Sequence, residues 1–319
     1  MFKEKLDYAL SVLDCRQIQV ALALQQWGIP AELLYYNVCV SSDVIYDHLF
    51  VKKLKTWMFD SPCFKVSELD LIKVPYSEKR YDDYFGIEHE LKETSKDQSS
   101  VFLWVVCGQV PYVKPTHFAD LQALHSFWIK GWSEEQGVSA YRVKDTYPEF
   151  EGWLSEEEII PLCSLPTAFN QEQAALTVYR TDGIIPTNQR TIIKERHETW
   201  MNSYRDEFLL YDSIIGFVNG TKDSPFEKSI DLYECCAHAF KFLGGSRYLY
   251  SCYLERNDGE ASTITLLQQT AQKARALKQT FLMAIYNGKI NQEVVIRICQ
   301  ELKQLEQDWS LSLRSSHVI

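Results

Sequence analysis

A single cysteine stands at the predicted start of the first helix, where its thiol would be activated. Cys15 follows Asp14 and opens a helix-like run that Gly28 and Pro30 end. Asp14 and Gln17 have the spacing of a capping box at a helix start. In the first helical turn, free backbone N–H groups and the helix dipole favour the thiolate, which is the nucleophilic form of cysteine. Cys15 is therefore the candidate nucleophile.

A histidine and an aspartate lie on two segments whose pattern indicates a β-hairpin. His125 begins a predicted strand over 125–131, a polar loop over 133–137 follows, and a second strand over 138–144 leads to Asp145. If that loop closes the hairpin, facing residues have numbers that sum to about 270, so His125 faces Asp145. Facing Cβ atoms lie roughly 5 Å apart, which lets a carboxylate bind an imidazole N–H. A shift of one residue would put the two side chains on opposite faces.

Together, Cys15, His125 and Asp145 make a candidate catalytic triad, in which Asp145 orients the ring and His125 serves the thiol. Each residue also has a structural alternative: a buried thiol, a core histidine and a turn-capping aspartate, respectively. His117 is a competing base, although its position suggests a surface loop.

Because Asp145 is near a strand end, we expect Asp145→Asn to change the free energy of unfolding by at most about 1 kcal/mol.

The composition is that of a globular protein with an acidic surface. The 319 residues are 46% hydrophobic and 24% charged, and the formal net charge is −10. That charge argues against a general nucleic-acid binder, because phosphate contacts need clustered Lys and Arg. The longest apolar run, Val101–Cys107, is too short to span a membrane. The first residues lack the apolar core of a signal peptide, so we expect a cytoplasmic protein.

The other residues that could bind metal or nucleotide have no supporting spacing. The nine cysteines are scattered without a CxxC pair, and we expect eight of them to be small buried residues in a reducing compartment. Cys235, Cys236 and His238 share a predicted helix, a pattern more typical of core packing than of a metal site. No glycine-rich phosphate-binding motif is present. We therefore predict no metal and no bound cofactor.

The character of the chain changes near residue 165. Before it, strand-like runs alternate with helices, and after it helical periodicity dominates. We predict an α+β first domain over 1–165 and an all-α helical domain over 185–319, with a looser link between them. The clearest predicted strands are 101–107, 125–131 and 138–144. The helices of the second domain are predicted at about 189–218, 226–256, 260–286 and 291–310.

Several short motifs combine into a family pattern. A buried strand leads to Val110-Pro111-Tyr112, and a histidine stands six residues before a glycine (His125, Gly131). A strand then ends in Asp145, and Tyr147-Pro148, Gly152-Trp153-Leu154-Ser155 and an acidic helix follow. Upstream, Asp14-Cys15 opens a helix that ends before Gly28-Ile29-Pro30. Over roughly its first half, the chain resembles the butirosin biosynthesis acyltransferase family, which has a papain-like N-terminal domain distantly similar to bacteriocin-processing cysteine peptidases.

The resemblance implies acyl transfer through a cysteine thioester in natural-product biosynthesis. In that family, the cysteine takes an acyl group from the phosphopantetheine thioester of an acyl carrier protein and passes it to an amine. The resemblance implies that Cys15 is the nucleophile, His125 the general base and acid, and Asp145 the orienting carboxylate. The acidic surface would suit a small cationic amine or polyamine as acceptor. No metal or nucleotide is implied.

The chain departs from the family pattern in two respects. The related peptidases have a glutamine shortly before the cysteine, and the segment 8–13 has none; Arg16 stands where an acidic residue is common. The backbone N–H of Cys15 is thus the one oxyanion donor that can be assigned. Two alternatives remain: a cysteine peptidase or amidase that uses the same triad with water as acceptor, and a non-catalytic interaction protein of the same fold.

Overall fold

The computed structural model describes residues 8, 11–54, 58–59, 61–94, 98–118, 120–135 and 137–316, with side chains up to 313. The N-terminal residues used for the signal-peptide prediction lie outside the described residues, as do Ala9, Leu10 and Gln136. Within the described part of the chain, every helix is too short or too polar to cross a membrane.

The architecture is α+β, as predicted, and the chain forms two compact units built from separate stretches. The sheet unit comprises Asp14–Ala31 and Lys65–Gln189. The helical unit comprises Met1–Leu13, Glu32–Phe64 and Arg190–Ile319, so far as these stretches are described. The helical unit thus includes residues 32–64, which the sequence-based division assigns to the first domain. Periodicity identifies helices, but it does not reveal with which unit a short segment packs.

Among its described residues, the sheet unit contains one antiparallel sheet of six strands in the order β1-β6-β2-β3-β4-β5. The strands are β1 (Tyr76–Arg80), β2 (Ser99–Val106), β3 (Leu124–Glu135), β4 (Val138–Thr146), β5 (Glu149–Ser155) and β6 (Ala174–Tyr179). The three predicted strands are confirmed as parts of β2, β3 and β4, except that Cys107 lies just beyond β2 in a 3₁₀ segment. The predicted loose link is wrong at β6, which pairs with both β1 and β2. This short run is a strand because of long-range pairing, which the local sequence does not reveal.

Helix α1 (Cys15–Gln26) begins at the capping box that the sequence predicts. The Asp14 carboxylate accepts a hydrogen bond from the Gln17 backbone N–H at 2.8 Å, and the Gln17 side chain accepts one from the Asp14 N–H at 2.9 Å. The other α-helices of this unit are Tyr84–Glu93 and Glu156–Ile159, and its 3₁₀ segments are Val66–Ile72, Cys107–Gln109, Ile160–Cys163 and Thr167–Glu172. The core on one sheet face contains Leu103, Phe127, Ile129 and Val143.

The helical unit has more helices than the periodicity predicts. Its α-helices are Ser42–Tyr46, Leu209–Asn219, Ser229–Arg256, Ala261–Asn287 and Gln292–Ser316, with 3₁₀ and π segments at Ala31–Tyr35 and Asp47–Val51; helix Thr187–Ser203 leads into it. The single helix predicted over 189–218 is therefore divided, and the break includes Phe208 with a φ of 64°. Asp206, in that break, accepts a hydrogen bond from the Ser42 backbone N–H at 2.7 Å, a contact that periodicity does not reveal.

A β-bulge determines which face of the sheet Asp145 occupies. Near the hairpin tip, Glu135 pairs with Val138, but past Lys130 the register shifts by one residue, and Trp128 pairs with Lys144. Extending the shifted register places Asp145 opposite residue 127, on the same face as His125 and diagonal to it. Without the bulge, the tip register would place Asp145 on the opposite face. The predicted direct pairing is wrong by two residues, and the predicted shared face is correct because a shift of two preserves the face.

Strand β6 should exchange its backbone amides slowly. It has partners on both sides, and Ala175, Leu176 and Val178 are at most 1% exposed. We expect the amides of Ala174–Tyr179 to exchange more slowly with deuterium than those of the preceding 3₁₀ segment Thr167–Glu172, because only the strand is bonded within a ladder. Equal, fast exchange in both segments would show that 174–179 is the loose link that the sequence suggests.

Candidate active site

The site lies where β3 and β4 stop pairing. Their last facing pair is Trp128–Lys144. Hydrogen-bonded pairs alternate along an antiparallel ladder, so in the same register the next such pair would be Ser126 and Thr146. That pair does not form; instead, the backbone N–H of Thr146 donates to the Asp145 Oδ1 atom at 2.7 Å. We call the opening between Ser126 and Thr146 the β3–β4 gap. Backbone groups at such an opening must find other partners when they are buried.

Helix α1 supplies those partners from its first turn and a half. The backbone N–H of Ser126 donates to Cys15 Sγ at 3.1 Å. The carbonyl of Ser126 accepts from Gln19 Nε2 at 2.8 Å, and its hydroxyl donates to Gln19 Oε1 at 2.5 Å. The side chains of Cys15 and Gln19 therefore take the place of β4 as hydrogen-bond partners of β3.

The structure brings the three predicted site residues together. His125 Nε2 lies 2.7 Å from Asp145 Oδ2, and both residues are at most 3% exposed. Cys15 also raises the pKa of the His125 ring, and its sulfur accepts the backbone N–H of the adjacent Ser126. Because Nε2 is engaged by Asp145, Nδ1 is the ring nitrogen available to the sulfur. A thiol, an imidazole and a carboxylate in this order are the groups that nucleophilic cysteine catalysis uses.

The Asp145 carboxylate accepts hydrogen bonds from other donors besides His125. Oδ2 also accepts from the Tyr112 hydroxyl at 2.9 Å. Oδ1 accepts from Gln19 Nε2 at 3.3 Å, in addition to the backbone N–H of Thr146 at 2.7 Å. These donors satisfy the oxygens of the buried carboxylate and fix the plane in which it meets the imidazole.

The surroundings of His125 favour its protonated form. Burial, the largest single influence, lowers the pKa of the ring, but hydrogen bonds to Asp145 and Cys15 and the negative charges of both groups raise it to about 10. The His125 ring is therefore protonated at neutral pH. Loss of either negative charge beside it would lower its pKa.

Apolar and unreactive groups surround this polar cluster. The rings of Phe118 and His125 have centroids 5.4 Å apart, and Phe118 also contacts Tyr147 edge-on at 5.5 Å. Burial, together with the negative charges of Cys15 and Asp145, raises the pKa of the neighbouring thiol Cys107 to about 12. Two cysteines therefore lie near the site, and the second remains a thiol at neutral pH.

Arg16, which departs from the family pattern, has a structural explanation. Its guanidinium donates to the carbonyls of Ala174 at 2.9 Å and Phe102 at 3.4 Å, and it lies 4.4 Å from the centre of the Trp104 ring. The residue is 7% exposed, and burial lowers its pKa to about 10. Arg16 therefore ties the start of α1 to β2 and β6.

Sequence reasoning missed Gln19 and Tyr112 as members of the site. Gln19 stands one helical turn after Cys15 and on the same helix face, which is a signal that the sequence does contain. The competing base, His117, accepts the Lys114 backbone N–H within its own turn at 3.1 Å. Among the described residues, no group of three or more His, Cys, Asp and Glu side chains is placed to hold a metal ion.

Fold and site define an α+β protein whose sheet and helix α1 hold a cysteine beside a hydrogen-bonded His–Asp pair. No family model matches the chain. The chain is 22% identical over 318 residues, covering 97% of it and 98% of the relative, to a protein of Niallia circulans. That relative is the ribostamycin:4-(gamma-L-glutamylamino)-(S)-2-hydroxybutanoyl-(BtrI acyl-carrier protein) 4-(gamma-L-glutamylamino)-(S)-2-hydroxybutanoate transferase. The match confirms the predicted resemblance to the butirosin biosynthesis acyltransferase family, and it extends over nearly the whole chain.

Cys15 should be the first cysteine to react with iodoacetamide at neutral pH. It is partly exposed, whereas the other eight cysteines are buried. Burial also raises the pKa of Cys39, Cys163 and Cys235 to about 12, so these remain thiols. Peptide mass mapping of a time course should place the fast phase on Cys15, and Cys15→Ala should remove that phase. A fast phase on any other cysteine would refute the assignment.

Replacing Asp145 with Asn should lower both the pKa of His125 and the stability. The substitution removes the charge that opposes burial, so the titration midpoint of the His125 ring in an NMR experiment should fall from about 10. The free energy of unfolding should fall by about 3 kcal/mol, because the change breaks a buried charge pair. The sequence-based expectation of about 1 kcal/mol relied on the nearby strand end, whereas Asp145 is 2% exposed.

The loss of stability should depend on pH in a definite direction. The folded pKa of His125 is raised above its ordinary value of 6.5, so the pairing stabilises fully below 6.5 and is lost as pH rises through about 10. Denaturant titrations of the wild type and Asp145→Asn should therefore differ less as pH increases across this window. A difference that grows with pH would contradict the charged pair.

Proposed function

We propose that the protein is an amide-forming acyltransferase with a papain-like catalytic domain, which moves an acyl group from a carrier-protein thioester through Cys15 to an amine. The observation that carries the proposal is the hydrogen-bonded His125–Asp145 pair beside Cys15, whose sulfur accepts the N–H of Ser126, the residue after His125. The name of the relative, a transferase acting on a group bound to an acyl-carrier protein, supports the choice of donor.

The first step is thioester exchange. The Cys15 thiolate attacks the thioester carbonyl, and the carbon–sulfur bond to the donor's phosphopantetheine breaks. The His125 imidazolium protonates the departing thiolate, which leaves the free pantetheine thiol and an acyl-Cys15 thioester. The raised pKa of His125 supports this role, because the ring is already protonated when the donor binds.

The second step is aminolysis of the acyl-enzyme. After the first step the ring is neutral, and Asp145 keeps it oriented through Nε2. An amine attacks the acyl carbonyl, His125 accepts the amine proton, and the bond to Cys15 breaks to give an amide and the free enzyme. His125 thus acts as acid in one half-reaction and as base in the other.

The N-terminus of α1 can stabilise the developing oxyanion. Cys15 is the first residue of the helix, so its backbone N–H has no helical acceptor. A donor at that position, with the helix dipole behind it, suits an oxyanion bonded to the carbon that Cys15 attacks. It is the donor that we assign.

Intact-mass spectrometry tests the proposed function directly. The protein is incubated with a panel of acyl thioesters of pantetheine, and its mass should increase by one acyl group. Cys15→Ala should give no adduct, since it lacks the nucleophile. Cys107→Ala is the matched control: it removes a neighbouring buried thiol and should still form the adduct.

Product partitioning then separates transfer from hydrolysis. With a polyamine present, an acyltransferase converts most of the adduct to amide, whereas a peptidase or amidase releases free acid whatever amine is offered. A protein that forms no adduct with any thioester would have neither activity and would fit the non-catalytic alternative.

A further inference from the structure

Gln19 contacts both strands that present the other two residues of the triad. It is 0% exposed and lies one turn after Cys15 on α1. Its amide nitrogen donates to the Ser126 carbonyl at 2.8 Å and to the Asp145 carboxylate at 3.3 Å. Ser126 follows His125 directly on β3, and Asp145 lies on β4. One side chain therefore links the helix of the nucleophile to the strands of the base and the orienting carboxylate.

These contacts leave Gln19 no capacity for binding an oxyanion. A glutamine amide has two N–H donors, and both are used, one by Ser126 and one by Asp145. Its oxygen accepts the Ser126 hydroxyl at 2.5 Å. The residue is thus fully committed to protein groups in the β3–β4 gap, and its role differs from that of a glutamine that binds the substrate.

We propose that Gln19 is a positioning residue of the acyl-transfer reaction, which fixes the width of the β3–β4 gap so that the Ser126 N–H and the His125 ring both meet the Cys15 sulfur. The inference rests on the proposed function. Ser126 connects the two contacts. Gln19 binds the carbonyl and the hydroxyl of Ser126, and the N–H of Ser126 donates to Cys15 Sγ at 3.1 Å. Movement of Ser126 would therefore displace the sulfur's donor and the adjacent His125 together.

Backbone pairing does not fix the separation of β3 and β4 at the β3–β4 gap. The ladder between β3 and β4 ends at Trp128–Lys144, so no backbone hydrogen bond sets the separation at Ser126. Gln19 replaces the missing ladder bond, because it binds the carbonyl that Thr146 would otherwise bind. Catalytic groups displaced by about 1 Å can lose roughly 10²-fold in rate, so a contact that sets this spacing affects the chemistry.

The test compares Gln19→Met with Gln25→Met on the same helix. Methionine nearly conserves the volume of glutamine but cannot donate, so it removes the hydrogen bonds and keeps the packing. Gln25 is exposed at the end of α1 and serves as the matched control. With a pantetheine acyl thioester, the rate constant of Cys15 acylation should fall by roughly 10²-fold in Gln19→Met. The KM for the thioester should remain within about twofold, because Gln19 is fully buried and its amide is bonded to protein groups.

Ser126→Ala provides a milder second variant that keeps the backbone contacts. It removes one hydrogen bond to Gln19, and we expect acylation to slow several-fold. In the Gln19→Met background the same change should have no further effect, since the contact is already lost. Such non-additivity measures the coupling even if Gln19→Met is partly destabilised, and circular dichroism determines the folded fraction used in each rate.

The outcomes separate this inference from the proposed function. If the wild type forms no acyl-Cys15, the proposed function fails. If the wild type is acylated and folded Gln19→Met matches it in rate, Gln19 is not a positioning residue and the proposed function stands. A rise in KM with an unchanged rate constant would also overturn the inference, because it would assign Gln19 to substrate binding.

Discussion

The candidate site depends on an exchange of hydrogen-bond partners along β3. At Ser126, side chains of α1 bind the backbone groups that would otherwise pair with β4. Beyond Trp128 and Lys144 the two strands no longer pair, and the backbone of Ser126 binds Cys15 and Gln19 instead. Buried backbone groups must be paired, so the strands can separate only because the helix is present. His125 and Asp145 lie beside the same opening, next to the residues that contact Cys15.

The electrostatics of the cluster fit a reaction in two half-steps. Hydrogen bonding and the negative charges of Asp145 and Cys15 overcome burial and keep the His125 ring protonated. In the proposed reaction, acylation of Cys15 would remove the charge on sulfur, while the Asp145 carboxylate would keep its other hydrogen-bond donors, Tyr112 among them. The pKa of the ring would then fall, which suits a group that accepts a proton from an incoming amine.

Local patterns in the sequence were sufficient for the parts of the site that depend on neighbouring residues. The capping box that places Cys15 at a helix start and the alternation along β3 are of this kind. The bulge at Lys130 and the partners of β6 depend on pairing between distant strands. Gln19 and Ser126 are 107 positions apart, so their contact appears only once α1 is docked on the sheet. The sequence predicted the shared face of His125 and Asp145 correctly, but with a register wrong by two residues.

If the proposed mechanism holds, acyl-Cys15 lies on the path to product, and rapid-quench kinetics can detect this intermediate. A single turnover is started with an acyl thioester of the carrier protein and an amine, and acyl-enzyme and amide are quantified over time. Acyl-Cys15 should form at least as fast as turnover and decay at the rate at which amide appears, and the decay should accelerate as amine concentration rises. Amide that appears before or without acyl-Cys15, or an adduct that decays too slowly to account for turnover, would contradict the proposed mechanism.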